Sequence, residues 1–231
     1  MKFHIGFGSL FCMAFLSACG GGGGGTPAVA VAPVSVPLKS AYSALITSGL
    51  SKTFTISGTC GGTAVLTQTP AISGVTFDGV AGRLSNMQTT NLTLTGCLPA
   101  TVSQTVTGYF DTSYTPVGSL GGSGTFGVFA TAPTIPATAK VGDSGPISTQ
   151  LLYTNSTKTV SAGQAITTYT VESDSATSAI VNLTIRSFNA ANVLVNTEQD
   201  RYRIVATTGL GTLVSVDGQA SNGSTTHLIL Q

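Results

Sequence analysis

The sequence predicts an all-β protein, an antiparallel β-sandwich or meander preceded by one short N-terminal helix. Three observations carry that expectation. Val, Ile, Leu and Ala are set among abundant Thr and Ser, a mixture that suits half-buried pleated sheet. Short runs alternate apolar and polar residues, so that Val181, Leu183 and Ile185 oppose Asn182, Thr184 and Arg186 on the two faces of one strand. Gly and Asn clusters then punctuate these runs at hairpin-like intervals. A mean hydropathy of +0.36 with only 7% charged residues is the balance of a chain that buries a core, not of a disordered one.

The elements follow in order. Ser40 to Gly49 is the one helix. Ser40 can cap it, Tyr42, Leu45 and Ile46 share a face, and Gly49 suits the stop. Strands are expected over Thr53 to Ile56, Ala64 to Thr67 after the Gly61-Gly62 turn, Gly74 to Asp78, Thr89 to Thr95, and Thr101 to Phe110. Gly118 to Gly124 reads as a glycine-rich loop and Thr125 to Phe129 as a strand. Thr131 to Ala139, with Pro133 and Pro136, reads as a linker or domain border.

Six further strands are expected: Ser148 to Tyr153, Ala165 to Glu172, Ala179 to Phe188, Leu194 to Val205, Leu213 to Val216, and Thr226 to Leu230. Asn189 to Asn192 and Asn222-Gly223 carry hairpin chemistry. Connections this short favour antiparallel neighbours. The body is therefore one unit or two small β regions, 40–130 and 140–231.

The N-terminus reads as an address. Lys2 and His4 open a weakly positive segment, and the apolar run from Ile5 to Leu16 follows, broken only by glycines and Ser9. The run falls short of the roughly 20 residues that span a bilayer. It ends in Leu16-Ser17-Ala18-Cys19. This tetrapeptide resembles the lipobox of bacterial lipoproteins: a leucine, two small residues and a cysteine. The resemblance covers those four residues and the preceding run. It implies removal of residues 1–18, a diacylglyceryl thioether on Cys19, and acylation of the new amine. Cysteine is required because its thiolate is the nucleophile of that transfer. Several acyl chains anchor firmly where one alone is marginal.

Residues 19–39 then read as a tether, with glycines at Gly20 to Gly25 giving flexibility and the Pro/Val/Ala stretch from Thr26 to Pro37 giving extension. The start resembles Gram-negative lipoproteins with a Cys-polyGly opening, and Gly20 in place of Asp implies sorting to the outer membrane. No function comes with that resemblance.

Cys12 leaves with the leader and Cys19 is lipidated, so Cys60 and Cys97 remain, and in an oxidising compartment they are expected to join. Their wide spacing is unlike the Cys-x-x-Cys of redox-active pairs. Closing such a loop contributes about 3–4 kcal/mol on the chain-entropy account.

Several motifs invite a chemistry that their surroundings refuse. Gly142-Asp143-Ser144-Gly145-Pro146 resembles the nucleophile segment of trypsin-like proteases. That family also needs a histidine base ahead of the serine, and His227 follows it. The order Ser, Asp, His would suit α/β-hydrolases, but Pro146 stands where their elbow needs glycine. A turn is the expectation. Gly122-Ser123-Gly124-Thr125-Phe126-Gly127 matches a dinucleotide fingerprint in letters only, because no helix follows to receive a pyrophosphate.

Glu172 with Asp174, and Glu198 with Asp200, recur at period two, so each pair shares a face, while Arg201 and Arg203 take the opposite one. A solvated charge ladder across the sheet is the expected arrangement. Tyr109, Phe110 and Tyr114 flank Asp111 near a loop, where tyrosine can stack on sugars or peptides; with no tryptophan to make a stacking platform, they are expected to fill the core.

Nine Lys and Arg, one of them Lys2, balance eight Asp and Glu, which leaves no basic footprint for nucleic acid. No catalytic, metal or cofactor constellation is expected. The sequence thus points to a non-catalytic envelope lipoprotein, outer-membrane anchored through Cys19, serving a structural, interaction or adhesive role with an envelope protein or surface ligand. The alternative is a carrier or sensor that holds an apolar ligand on a curved sheet.

Overall fold

The computed structural model of the chain describes residues 33–221 and 225–231. In chain order the first half holds β1 (Ser35–Val36), α1 (Leu38–Ser48), β2 (Leu50–Gly58), β3 (Gly61–Gln68), β4 (Ile72–Phe77), β5 (Val80–Thr95), β6 (Thr101–Phe110), β7 (Pro116–Gly121) and β8 (Phe126–Phe129). The second half holds β9 (Ala139–Lys140), β10 (Ser144–Tyr153), β11 (Ser161–Ser173), β12 (Ser178–Phe188), β13 (Leu194–Val205), β14 (Gly211–Ser221) and β15 (Thr225–Leu230).

The all-β expectation with one short helix holds, and every strand pair is antiparallel. The architecture is a barrel, not two packed sheets. Hydrogen bonding runs β3-β2-β15-β14-β13-β12-β11-β10-β8-β7-β6-β5, and β3 returns to pair with β5. This closes 12 strands. The closing ladder is long, from Gly61 opposite Thr95 to Gln68 opposite Gln88. Closure satisfies the N–H and C=O groups that an open sheet would leave along two edges. Both halves of the chain enter this one ring, because β8 bonds to β10 across the Thr131 to Ala139 segment.

Glycine is required where the wall turns tightly. Gly62 sits at φ 130°, and a Cβ there would collide with the Thr93 carbonyl of β5. The segment expected as a loop from Gly118 contains strand β7, whose glycines fit beneath a neighbour. A Cβ on Gly118 would strike the Phe77 ring. Phe77 comes from β4, which pairs only with the start of β5. Its ring stacks on Tyr109 at 4.3 Å and on Phe126 at 4.9 Å. The hairpin tip is held by Lys158, whose ammonium lies 2.7 Å from Asp78. The β4–β5 hairpin is thus a flap folded over the outer face of β6 to β8.

The interior is packed in two clusters. Phe54, Ile56, Ala64, Leu66, Leu92 and Leu94 meet Leu213, Val216, Leu228 and Leu230. Their alternates Thr53, Thr55, Thr63 and Thr93 are exposed. Apolar inside and hydroxyl outside is the reverse of a barrel that faces lipid. The second cluster joins Val36, Leu38 and Ala41 to Tyr169, Val171, Val181 and Ile204, and Tyr202 packs against both clusters.

Helix α1 begins two residues before the expected Ser40. Its N-cap position is Pro37, with no side-chain cap. The Lys39 N–H is instead satisfied by the Pro136 carbonyl 3.1 Å away. Tertiary contact replaces the local cap. Gly49 ends the helix at φ 72°, as the sequence suggests. The expected tether also ends earlier than residue 39, since Ser35–Val36 pairs with Ala139–Lys140 and Val36 is fully buried.

The Cys60–Cys97 disulfide is present, with Cα atoms 5.8 Å apart. Asn189 closes its hairpin by accepting from the Ala191 and Val193 N–H groups, each at 3.0 Å. Asn222-Gly223 and Cys19 lie outside the described residues.

Candidate functional site

Helix α1 lies across one end of the barrel. Ile46 accepts from the Ala71 N–H at 2.9 Å, Leu45 accepts from Gln68 Nε2 at 3.0 Å, and the Leu45 side chain meets Gly211. Those partners sit at the end of β3, just beyond it, and at the start of β14, so the helix bridges the rim. Its amphipathic pattern explains the placement. Leu38, Ala41 and Ile46 are buried while Lys39, Ser40, Thr47 and Ser48 stay exposed.

Beneath the helix, β13 turns Glu198, Asp200, Tyr202 and Ile204 inward, because strand period two places them on the Ile204 side of the wall. This corrects the expected solvated pair. Glu198 is 7% exposed. Burial pushes its carboxyl well above the usual range, and the Asp200 charge and hydrogen bond beside it add to that. Burial raises Asp200 to about 6, and the hydrogen bond from Glu198 partly offsets the rise. The two carboxyls face the same way two residues apart on β13, so their titrations are coupled.

Burial likewise raises Tyr202 far above its ordinary value, with the charges of Asp200 and Glu198 and the nearby Tyr42 contributing. Burial also raises Tyr42. Glu198 Oε2, Asp200 Oδ1 and the Asn196 amide nitrogen find no hydrogen-bond partner among the described residues. Asp200 lies on the inner face of mid-strand β13.

The other charges behave as the ladder reading expects. Arg203 holds Asp174 through bonds of 2.8 and 3.0 Å, and Arg201 reaches Glu172 at 3.4 Å. The Arg203 and Ser178 hydrogen bonds keep the Asp174 carboxyl below its ordinary value. Ser144 opens β10, whereas His227 lies on β15, with four strands between them, and is bonded to Asp217 at 2.8 Å. The serine and histidine never meet. The Gly122 to Gly127 run forms the β7–β8 hairpin, closed by the Gly121 N–H donating to Thr125 O at 2.8 Å. Phe110 is buried as expected, while Tyr109 stacks under the flap.

A pocket of about 210 Å³ opens between the helix and the rim. The first turns of α1 give it Lys39, Tyr42 and Ser43. The β6–β7 turn gives Tyr114 and Thr115, and the segment after β8 gives Pro133, Thr134 and Ile135. Of this lining, sequence reasoning singled out Tyr114 as a residue that could stack on a ligand, but expected it in the core. The three segments are far apart in the chain and no motif links them.

No protein-family model, curated protein or solved structure matches the chain.

Proposed function

We propose that the chain is a lipid-anchored envelope protein of the outer membrane that works by holding a ligand or partner, not by catalysis. The observation that supports this most is the position of α1. It is the one helix among the described residues, and it seats one end of a barrel whose β2, β3 and β5 wall turns threonine hydroxyls outward. The non-catalytic part rests on two arrangements. Ser144 and His227 are separated by four strands. Glu198 and Asp200 lie side by side on one face of one strand, buried beneath the helix, and not across an open cleft as glycosidase acids do. Fractionation of cells making the wild-type chain and Cys19→Ala, with intact mass of each, tests the anchor. The wild type is expected in the membrane fraction carrying acyl mass and the variant in the soluble one; equal partitioning and an unmodified mass overturn it.

A carrier or sensor for an apolar ligand is the second reading, favoured by the closed, curved sheet whose inner face is largely apolar. Native mass spectrometry decides it: a co-purifying lipid supports the carrier, and a bare protein removes it.

A further inference from the structure

We propose that the pocket between α1 and the rim binds a monosaccharide acid of the hexuronate class. The inference rests on the reading of the chain as a binding protein and names what it holds. Charge comes first. Lys39 is the one charged side chain in the lining, and no carboxylate accompanies it. Lys39 forms no ion pair among the described residues. A site with one unneutralised ammonium selects an anion.

The remaining lining decides which anion. The Tyr114 and Thr134 side chains bring hydroxyls from two separate segments, so a ligand must offer polar groups in several directions. Pro133, Ile135 and the tyrosine rings supply apolar faces against which the C–H surface of a sugar ring packs. An inorganic anion would use only Lys39, and a hydrocarbon would leave the hydroxyls and ammonium unanswered. A sugar acid answers all three features at once. At about 210 Å³ the space is below the range of drug-sized sites, so it takes one ring and not a chain.

The lining is also preorganised. The Asp111 side chain accepts from the Ser113 N–H at 2.8 Å and the Thr115 N–H at 2.9 Å. These bonds hold Tyr114 at φ 61°, a conformation that L-residues other than Asn, Asp and Gly seldom take. Opposite it, the Thr134 N–H donates to Ile147 O at 2.9 Å and the Lys39 N–H to Pro136 O, so the segment after β8 is pinned both to the wall and to the helix. Rigid walls lower the ordering cost of binding.

The test is ligand-observed NMR titration of the full chain in detergent micelles with D-glucuronate, D-glucose and acetate. Glucuronate is expected to bind saturably, and glucose and acetate each at least about tenfold more weakly, since each lacks one class of contact. Lys39→Gln is expected to weaken glucuronate about tenfold and to leave glucose unchanged. Lys39 is exposed, so an unaltered near-ultraviolet dichroism spectrum will show that the variant is folded. Tyr114→Ala is expected to weaken both sugars. Absence of saturable glucuronate binding, acetate binding as tightly as glucuronate, or indifference to Lys39→Gln overturns the proposal. Because these titrations do not depend on the lipid, a failed anchor with intact glucuronate binding leaves this inference standing, and the converse leaves the anchor standing.

Discussion

Two neighbouring walls of the barrel solve the same problem with opposite chemistry. In the wall of β2, β3, β5, β14 and β15, inward positions are mostly aliphatic or aromatic, with Lys52 over the Phe54 ring and the buried Thr90 as exceptions; outward ones are mostly Thr and Ser, and the disulfide closes its far end. In the wall of β11 to β13 both faces of β13 are charged, with Glu198 and Asp200 inside and Arg201 and Arg203 outside. The first wall is held by burial of apolar surface. The second keeps two acids inside, where burial raises both carboxyls above their ordinary values. The difference teaches that residue type assigned the inner face only in the first wall; in the second, closure of the ring decided which charges lost their water.

The sharpest way to break this contrast is to hollow the apolar wall. Phe54 is 2% exposed, and Phe54→Ala is expected to cost about 3–5 kcal/mol through lost transfer energy and the cavity left behind. Equilibrium denaturation measures it, and a loss below about 1 kcal/mol would mean that the wall is not a packed core. Replacing Cys60 and Cys97 together by Ser comes next. The pair spans 37 residues, and removal is expected to cost about 2–4 kcal/mol by releasing the unfolded chain. Denaturation with and without reductant should give the same loss.

The acid wall is expected to respond to pH in the direction its burial sets. Both folded carboxyls titrate above their unfolded values of about 3.9 and 4.3, so the folded state holds its protons more tightly. Their contribution to stability is complete below the unfolded values and is lost as pH rises through about 6, where Asp200 ionises. The barrel should therefore be more stable near pH 5 than near pH 8. The double variant Glu198→Gln, Asp200→Asn is expected to flatten that slope and to gain about 2 kcal/mol at neutral pH. A slope identical to wild type would show that the pair is not the source.

The smallest effect is expected at the flap. Lys158→Ala removes the exposed pair with Asp78 and should cost at most about 0.5 kcal/mol of global stability. Hydrogen exchange should nevertheless quicken in β4 while β2 and β3 keep their protection. Faster exchange everywhere would mean that the flap is not a separate unit.

How much of this was readable in advance varies with locality. Strands such as β6 and β13 and the Asn189 turn were legible because alternation and turn chemistry act within a few residues. The helix was legible in kind but not in its start, since Lys39 is satisfied by Pro136, far along the chain. Strand β7 was hidden because its glycines, which read as loop, are there to accommodate Phe77 and the wall around it. The pocket was invisible for the same reason, being built from three segments that only the rim brings together.

By itself the sequence determined an all-β body, its antiparallel hairpins, and which cysteines join, because these follow from side-chain period, turn residues and the count of thiols. Tertiary structure alone decided that the sheet closes on itself, that Glu198 and Asp200 face inward, and that Lys39 stands beside Tyr114. The physical reason is that hydrogen bonding between β3 and β5, and the loss of water it enforces inside the ring, are long-range events with no local signature.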